Sequence, residues 1–510
     1  MHQTKSCPAI IAISLLLLSV SAATAAPQIS IFTDREVYQA GDTIEVSLSG
    51  TNEGPDISVD VYIGLLTPGG DLFTLGGLEW SQGIVPWIVG IQVPSGFSLA
   101  QTPFFWFDLP CEMPPINVPG EFSFLAGVTR VGTLDFVSEI VDATFEVIES
   151  PPLEVFVDGI NGSNSNDGSE DAPWQTITYA LNSVQGWEIA PVMIYVAAGE
   201  YSNFEEFPLM MESWVFLIGE GASCTILRSS GFLPPRVITC EDVSGVIIEG
   251  FTIRDGFSGG YEYWGGGGIF CSSSSVIIRD NIITGNEALY CGGYGEGGGI
   301  LICRGSSAVL SRNLIVENTA YGGGGICCYG ASPTIVSNII GWNEDRYLMS
   351  GGGGICCLDG ASPKILNNAI VSNVGGGISC TFESSPEIIN NTIAGNVADY
   401  YGSGISCGDA QRPSNPVIRD CIIWNDGDDI YNCTASFCCI QDSIEGEGNI
   451  HDDPMFVPGP PGIYYLHADS PCIDAGSRSV EDAGLSGTTT RRDGIPDTGT
   501  VDMGCHYPIP

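Results

Sequence analysis

Acid–base or metal-assisted chemistry on a sugar chain needs carboxylates. This sequence offers Asp255 beside Arg254, Asp280 beside Arg279, Asp420 beside Arg419, and Asp428-Asp429. Glycosidic hydrolysis requires two carboxylates roughly 5–9.5 Å apart, and a calcium-assisted lyase requires an acidic cluster beside a basic residue. Arg254-Asp255 is the nearest approach to the second pattern, but no acidic cluster surrounds it. Asp493, Asp497 and Asp502, set around Gly494 and Gly499, have the residue types of a calcium turn, although their spacing suits turn-forming acids better. Aromatic residues gather before glycine runs: Tyr261, Tyr263 and Trp264, then Tyr290 and Tyr294, Tyr321, Tyr347, and Tyr400 and Tyr401. Brought to one edge, such rings form a strip on which neutral sugars stack. Rings that merely cover glycine backbone are an equally good reading. Beyond residue 25 histidine occurs only at His451, His467 and His506, which argues against a histidine-assisted metal centre.

Which of these residues meet depends on a repeat. Six segments align without gaps and end at Asn281, Asn313, Asn338, Asn368, Asn391 and Cys421. In the first five a second asparagine follows five residues later, at Asn286, Asn318, Asn343, Asn373 and Asn396. Steps of 32, 25, 30 and 23 residues between the first asparagines suit one coil of three short strands with variable loops. Glycine runs that end in Ile269, Ile300, Ile326, Ile355, Ile378 and Ile405 mark a corner before one strand. Glycine there permits positive φ and close approach of coils, and no run has the Gly-Lys-Ser/Thr ending of a nucleotide loop. Two residues beyond the isoleucine stands Cys271, Cys328, Cys357, Cys380 or Cys407, with Cys303 one place later in its repeat. Strand side chains alternate faces, so inward isoleucines imply an inward cysteine column. Directly stacked neighbours point their Cβ atoms alike, which favours buried thiols over disulfides. The asparagine columns predict amide ladders from coil to coil; a solvent-facing row of sugar-contacting amides is the alternative. The repeat also separates Arg279-Asp280 from Arg419-Asp420 by five coils, roughly 24 Å at about 4.8 Å per coil. Asp280 is better placed to pair with Arg312 on the next coil, and no catalytic residue is assigned.

Over 29–149, β-branched and aromatic runs such as 44–48 and 59–63 alternate with turns, which predicts a β-sandwich over 26–150. Tyr38, Gly41-Asp42 and the 59–63 run resemble immunoglobulin-like domains found beside bacterial surface repeats. A polar loop from Asp158, then Pro173-Trp174 and an apolar stretch to Leu181, suits a short helix over the open end of a sheet stack. Together with Ile194-Tyr195-Val196 and 215–221, this order resembles the opening of secreted right-handed parallel β-helix proteins of the pectate-lyase-like group. Segments 449–457, 470–476 and 501–507 resemble the closing motif of exported bacterial β-helix proteins. The resemblance spans about 155–507. It implies an all-β chain in which a β-sandwich precedes a right-handed parallel β-helix over 191–445, with a cap over 151–190. A closing segment over 446–510 is expected to cover the last coil, with Cys472 and Cys505 candidates for a disulfide there. A polysaccharide lyase, epimerase or glycoside hydrolase is the activity the resemblance implies.

Composition narrows the partners. The 510 residues include 16 Lys or Arg and 60 Asp or Glu, a net charge of −44, which repels nucleic acid, anionic lipid and uronate-type glycans. Charged residues make up only 15% and hydrophobic ones 44%, the make-up of folded sheet and not of a disordered acidic tail. Residues 1–25 read as a secretory signal: His2 and Lys5, an apolar run from Ile10 to Val20, then Ala23-Thr24-Ala25. The run is too short to span a bilayer, and Cys7 precedes it, the wrong side for lipid attachment. The sequence therefore predicts an exported monomer that weakly binds a neutral glycan or a surface protein without catalysis. Its ligand residues would be Trp264, Tyr294, Tyr321, Tyr347 and Tyr401, with calcium at Asp493, Asp497 and Asp502 the sole cofactor considered. Nucleic acid and membrane insertion are excluded. A polysaccharide-active enzyme and a structural spacer are the alternatives.

Overall fold

The computed structural model describes residues 26–509 apart from 78, 112–113, 232–234, 260–264, 290–294, 347–351, 400–401, 409–411 and 460–461. Two compact units are present: the chain up to Leu153 with Trp187–Pro191, and Glu154–Gly186 with everything from Val192 onward.

In the first unit period-two alternation produces two largely antiparallel sheets. Strands Gln28–Thr33, Thr43–Asn52 and Phe97–Asp108 form one, while Ile57–Leu66, Gly120–Arg130 and Val141–Val147 are central to the other. Ile31, Ile44, Val46 and Leu48 from the first meet Val59, Ile63, Phe122, Phe124 and Phe145 from the second in one core, as alternate residues of two facing sheets must. Asp60, 2% exposed, points away from that core and accepts hydrogen bonds from Gly90 N and Gly132 N, both 2.7 Å. One buried carboxylate thereby ties down two loops. The boundary differs from the sequence expectation, which assigned residues up to 190 to a cap. Ile189 is fully buried in the sandwich core with Trp187 and Ala190 against it. So short an apolar segment has no period by which to recognise its partner.

Among the described residues the second unit is a solenoid of three long parallel sheets with ten, ten and nine strands and a fourth of four short strands. One coil runs through a front strand Ile269–Ser272, a side strand Ser275–Arg279 and a back strand Ile282–Thr284. The next repeats them as Ile300–Cys303, Ser307–Ser311 and Leu314–Val316, in register residue for residue. Turns at Ser273, Asp280 and Gly285 take φ of +50°, +56° and +64°. The left-handed position recurs ahead of the ladder asparagines, at Arg312, Ser337, Asn367 and Asn390 in one column and Glu317, Trp342 and Ser372 in the other. It costs a non-glycine residue roughly 1–2 kcal/mol, which the bonded asparagines that follow offset. Ile269, Ile300, Ile326, Ile355, Ile378 and Ile405 form one fully buried inward column.

At the first end the helix Ile177–Ser183 is N-capped by Thr176. Glu205 accepts from Ile177 N and Thr178 N at 2.8 Å, a carboxylate at the positive helix terminus, and Ile177, Ala180 and Leu181 join the coil core. At the other end Ile444 packs on the core, and Asn449 Nδ2 donates to Ala435 O and Ile444 O. The rest of the closing segment departs from the expected cover and lies along the back sheet. Tyr465, Cys505 and Tyr507 bury the outward residues Ala369, Val371 and Ala394. Asn367 accepts from His506 N at 2.6 Å and donates to His506 O at 2.9 Å, and Cys505 N donates to Thr392 Oγ1. Cys505 consequently faces Asn367 O, whereas Cys472 lies in a separate cluster with Cys439. The expected Cys472–Cys505 pairing is thereby corrected, because the segment folds sideways instead of across the coil.

Candidate functional site

The asparagines lie inside. Asn281, Asn313, Asn338, Asn368 and Asn391 are at most 2% exposed, and each Nδ2 donates to the next Oδ1 at 3.0–3.3 Å. The column from Asn286 through Asn318, Asn343 and Asn373 to Asn396 does the same at 2.9–3.0 Å. The amide-to-amide bonds all run towards the C-terminus, so the second column needs a terminal acceptor, and it reaches Asp429 through Asn425. Asp429 Oδ1 accepts from Asn425 N and Nδ2, and Oδ2 from Gln441 N and Asp442 N. Burial pushes its carboxyl up to about 6 against the opposing effect of these donors. Amides this deep cannot contact a sugar. The cysteines also stack inward: Cys271 under Cys240, and Cys328, Cys357, Cys380 and Cys407 in register at no more than 1% exposure. Where Cys303 is displaced, Ile302 fills the column and Cys303 faces outward beside Ser272 and Tyr329.

Of the acids singled out from sequence, Asp255, Asp280, Asp420 and Asp429 have structural partners. Arg312 Nε donates to Asp280 Oδ1 at 2.8 Å from the next coil, and Arg228 and Arg254 share Asp255. Asp420 is fully buried and accepts from Ser477 N and Oγ. Of the aspartate trio, Asp493 is held apart on Arg491, while Asp497 and Asp502 meet His506 in a buried cluster whose polar atoms lie within 4.8 Å of one another. Calcium prefers an all-oxygen shell, which this nitrogen-bearing trio does not supply. His506 Nε2 lies 2.8 Å from Asp497 Oδ2, and Nδ1 lies 3.1 Å from Gly504 O. Gly504 O is a hydrogen-bond acceptor, and the Asp497 carboxylate is the other ring partner. Asp502 accepts from Asp474 N at 2.8 Å and Thr490 Oγ1 at 2.5 Å. The ring links Asp497 to Gly504 O, and the cluster serves as a clasp within the closing segment.

A different constellation occupies the outer face of the front sheet. Phe270, Leu301, Cys327, Cys356 and Ser379 are register partners on successive strands, and the last four are at most 4% exposed. Glycine corners fold over them: a Cβ on Gly265 would lie 2.8 Å from Leu301 Cδ2, on Gly323 3.1 Å from Cys356 Cβ, and on Gly352 2.9 Å from Ser379 Cβ. Arg236, 5% exposed, holds its guanidinium 4.2 Å from the Phe270 ring centroid. The Cys327 thiol donates to Glu296 Oε2 at 3.7 Å. Burial pushes the Glu296 carboxyl up to about 7, with Cys327 pulling the other way, so this group exchanges its proton near neutrality, as general acids and bases do. Gly265, Glu296 and Gly322 are joined by parallel bridges along this edge. Tyr321 is partly exposed there; Trp264, Tyr294, Tyr347 and Tyr401 lie outside the described residues.

The Glu296 shift has a consequence for stability. Its folded value, about 7, exceeds the ordinary value of 4.5, so between them the unfolded chain is ionised while the folded one keeps its proton. Its contribution is full below the lower value and lost as pH rises through the upper one. The stability difference between the wild type and Glu296→Gln should therefore slope downward with pH across this window, measured by urea unfolding at successive pH values. A flat difference would show that the carboxyl is not desolvated.

Comparison with known proteins agrees with the coil geometry. The family described as "Right handed beta helix region" matches residues 295–470. The second unit is a right-handed parallel β-helix. A second family, described as "Protein of unknown function (DUF1565)", matches residues 160–345, the first half of the β-helix. Among solved structures, a rhamnogalacturonan lyase shares 12% identity over 60% of this chain and 91% of its own, with a TM-score of 0.31. The pectin methylesterase of Aspergillus niger shares 14% over 60% of this chain and 92% of its own, with a TM-score of 0.28. An alkylpurine DNA glycosylase of Pseudomonas fluorescens shares 15% over 24% of this chain, which spans only 31% of its length, with a TM-score of 0.15. No curated protein matches the chain. Identities this low say nothing of activity.

Sequence reading missed Glu296 because the β-helix buries it by tertiary contact. Its one signal was an acid inside a glycine corner, Gly295-Glu296-Gly297, where the other corners carry none. His506 was passed over in the same way, as a lone histidine near the C-terminus.

Proposed function

We propose that this β-helix binds a neutral glycan along the front-sheet edge, as an exported surface protein that does not turn the ligand over. The observation that supports it most is the stacking of Gly265, Glu296 and Gly322 at successive levels, close in sequence to Trp264, Tyr294 and Tyr321. A partly exposed Tyr321 and a carboxyl that carries a proton near neutrality suit an uncharged polyol, through ring stacking and a hydrogen bond. The net charge of −44 disfavours uronates. Asp255, Asp280, Asp420 and Asp429 are engaged by structural partners, which leaves them poorly disposed to catalysis. Export rests on the N-terminal signal pattern; among the described residues no helix is long and apolar enough to cross a membrane.

A second reading has one observation in its favour. A Glu296 carboxyl near 7 is poised for acid–base work on a polysaccharide. A neutral-glycan array combined with reducing-sugar and unsaturated-product assays separates the two. Binding should fall at least about tenfold, roughly 1.4 kcal/mol, when Trp264 and Tyr321 are both replaced by alanine, with no product from the wild type. Turnover abolished by Glu296→Gln would establish the enzymatic reading instead. Neither binding nor turnover would leave a spacer.

A further inference from the structure

The closing segment brings together two cysteines that no coil-on-coil stack contains. We propose that Cys439 and Cys472 are a disulfide site, and that the bond fastens the closing segment to the last coil. Cys439 lies on the short back strand Cys439–Ile440. Ile440 is paired with Ile423 and points into the coil core; Cys439 is paired with Ile422 and points outward. There it meets Cys472, in a cluster with Ile422, Leu466 and Met503, and both cysteines are wholly buried. The neighbouring Cys472 thiol and burial together push the Cys439 thiol up, and Cys439 Sγ lies 3.3 Å from Asp452 O.

Orientation sets this pair apart. Cys240 and Cys271, Cys327 and Cys356, Cys328 and Cys357, and Cys380 and Cys407 are register partners on adjacent parallel strands. Their Cα–Cβ vectors run side by side, whereas a disulfide needs a torsion near 90° about its S–S bond and Cβ atoms that converge. Cys439 has Ile422 and not a cysteine as its register partner, and Cys472 lies off the stacked strands in the same buried cluster, so the side-by-side restriction of the stack does not apply to them. Oxidation joins the two Sγ atoms with loss of two protons and two electrons. A disulfide of the glutathione class accepts them by exchange and leaves as two thiols. The bond removes loop freedom from the unfolded chain and holds Leu466 and Met503 over Ile422.

The test uses the full-length protein, refolded either in a glutathione redox buffer or in excess reductant. Free thiols are then alkylated under denaturing conditions, and the peptides are mapped by mass spectrometry. The oxidised sample should yield one cross-linked pair, 439 with 472, with the stacked cysteines alkylated. It should also melt at least about 3 °C above the reduced sample, a difference that Cys472→Ser abolishes. Recovery of Cys439 and Cys472 as alkylated thiols after oxidation, or Cys472 linked to Cys505, would overturn the assignment. A 439–472 link without a melting shift would overturn the fastening role.

Discussion

Asn343→Ala should lower the unfolding free energy of the β-helix by about 3–5 kcal/mol, read as a shift of its urea midpoint. Asn343 is wholly buried. Its Oδ1 accepts from Asn318 N at 3.1 Å and Asn318 Nδ2 at 3.0 Å, and its Nδ2 donates to Ile315 O at 2.9 Å and Asn373 Oδ1 at 3.0 Å. Alanine leaves two donors and two acceptors without this partner, and an unsatisfied buried group costs about 1–3 kcal/mol. The costs do not add fully, since a water drawn into the gap recovers part of them. The neighbouring Trp342 is the control. It is 56% exposed with φ +55°, so Trp342→Gly relieves left-handed strain and should stay within about 1 kcal/mol of the wild type. An Asn343→Ala effect under 1 kcal/mol would mean that the ladder does not hold the coils.

The second large effect belongs to the glycine corner. A Cβ on Gly325 would sit 2.6 Å from Gly354 O, 3.0 Å from Asn343 Nδ2 and 3.1 Å from Ile340 Cγ2. The relation repeats down the stack: Gly268 meets Gly299 O, Gly299 meets Gly325 O and Gly354 meets Gly377 O, each at 2.6 Å. Side chains are excluded there by the rise between coils, since the obstructing atom is backbone on the next level and cannot rotate away. Gly325→Ala should cost about 3 kcal/mol or more, because overpacking a rigid site forces backbone movement. Gly360 makes the contrast, with φ +76° and nothing within 4 Å of an added Cβ. Gly360→Ala should cost only about 1 kcal/mol, the price of its backbone angle. Equal effects at the two positions would refute the close-approach account.

Particular residues show how far the sequence reached. The isoleucine, cysteine and asparagine columns were legible because a stacked fold repeats its environment at every level, so the residue that satisfies one coil recurs in the next. Cys303 was legible as an exception, and the coil answers with Ile302 in its place. Asp280 was correctly paired with Arg312 for the same reason, a fixed offset between coils. Asp429 at the end of a ladder, Glu296 over Cys327 and His506 between two aspartates occur once each. A single occurrence has no period to betray it.

Periodicity and residue type thus determined a sandwich followed by stacked coils, the corners that need glycine and the columns that face inward. These follow from hydrogen-bond satisfaction and strand alternation, which act locally and recur. Tertiary structure alone decided that Ile189 returns to the sandwich core, that the closing segment lies along the back sheet, and that Cys472 meets Cys439. It also decided which carboxyl is desolvated enough to hold a proton near neutrality. Those outcomes depend on which distant surfaces exclude water from each other, and chain spacing does not encode that.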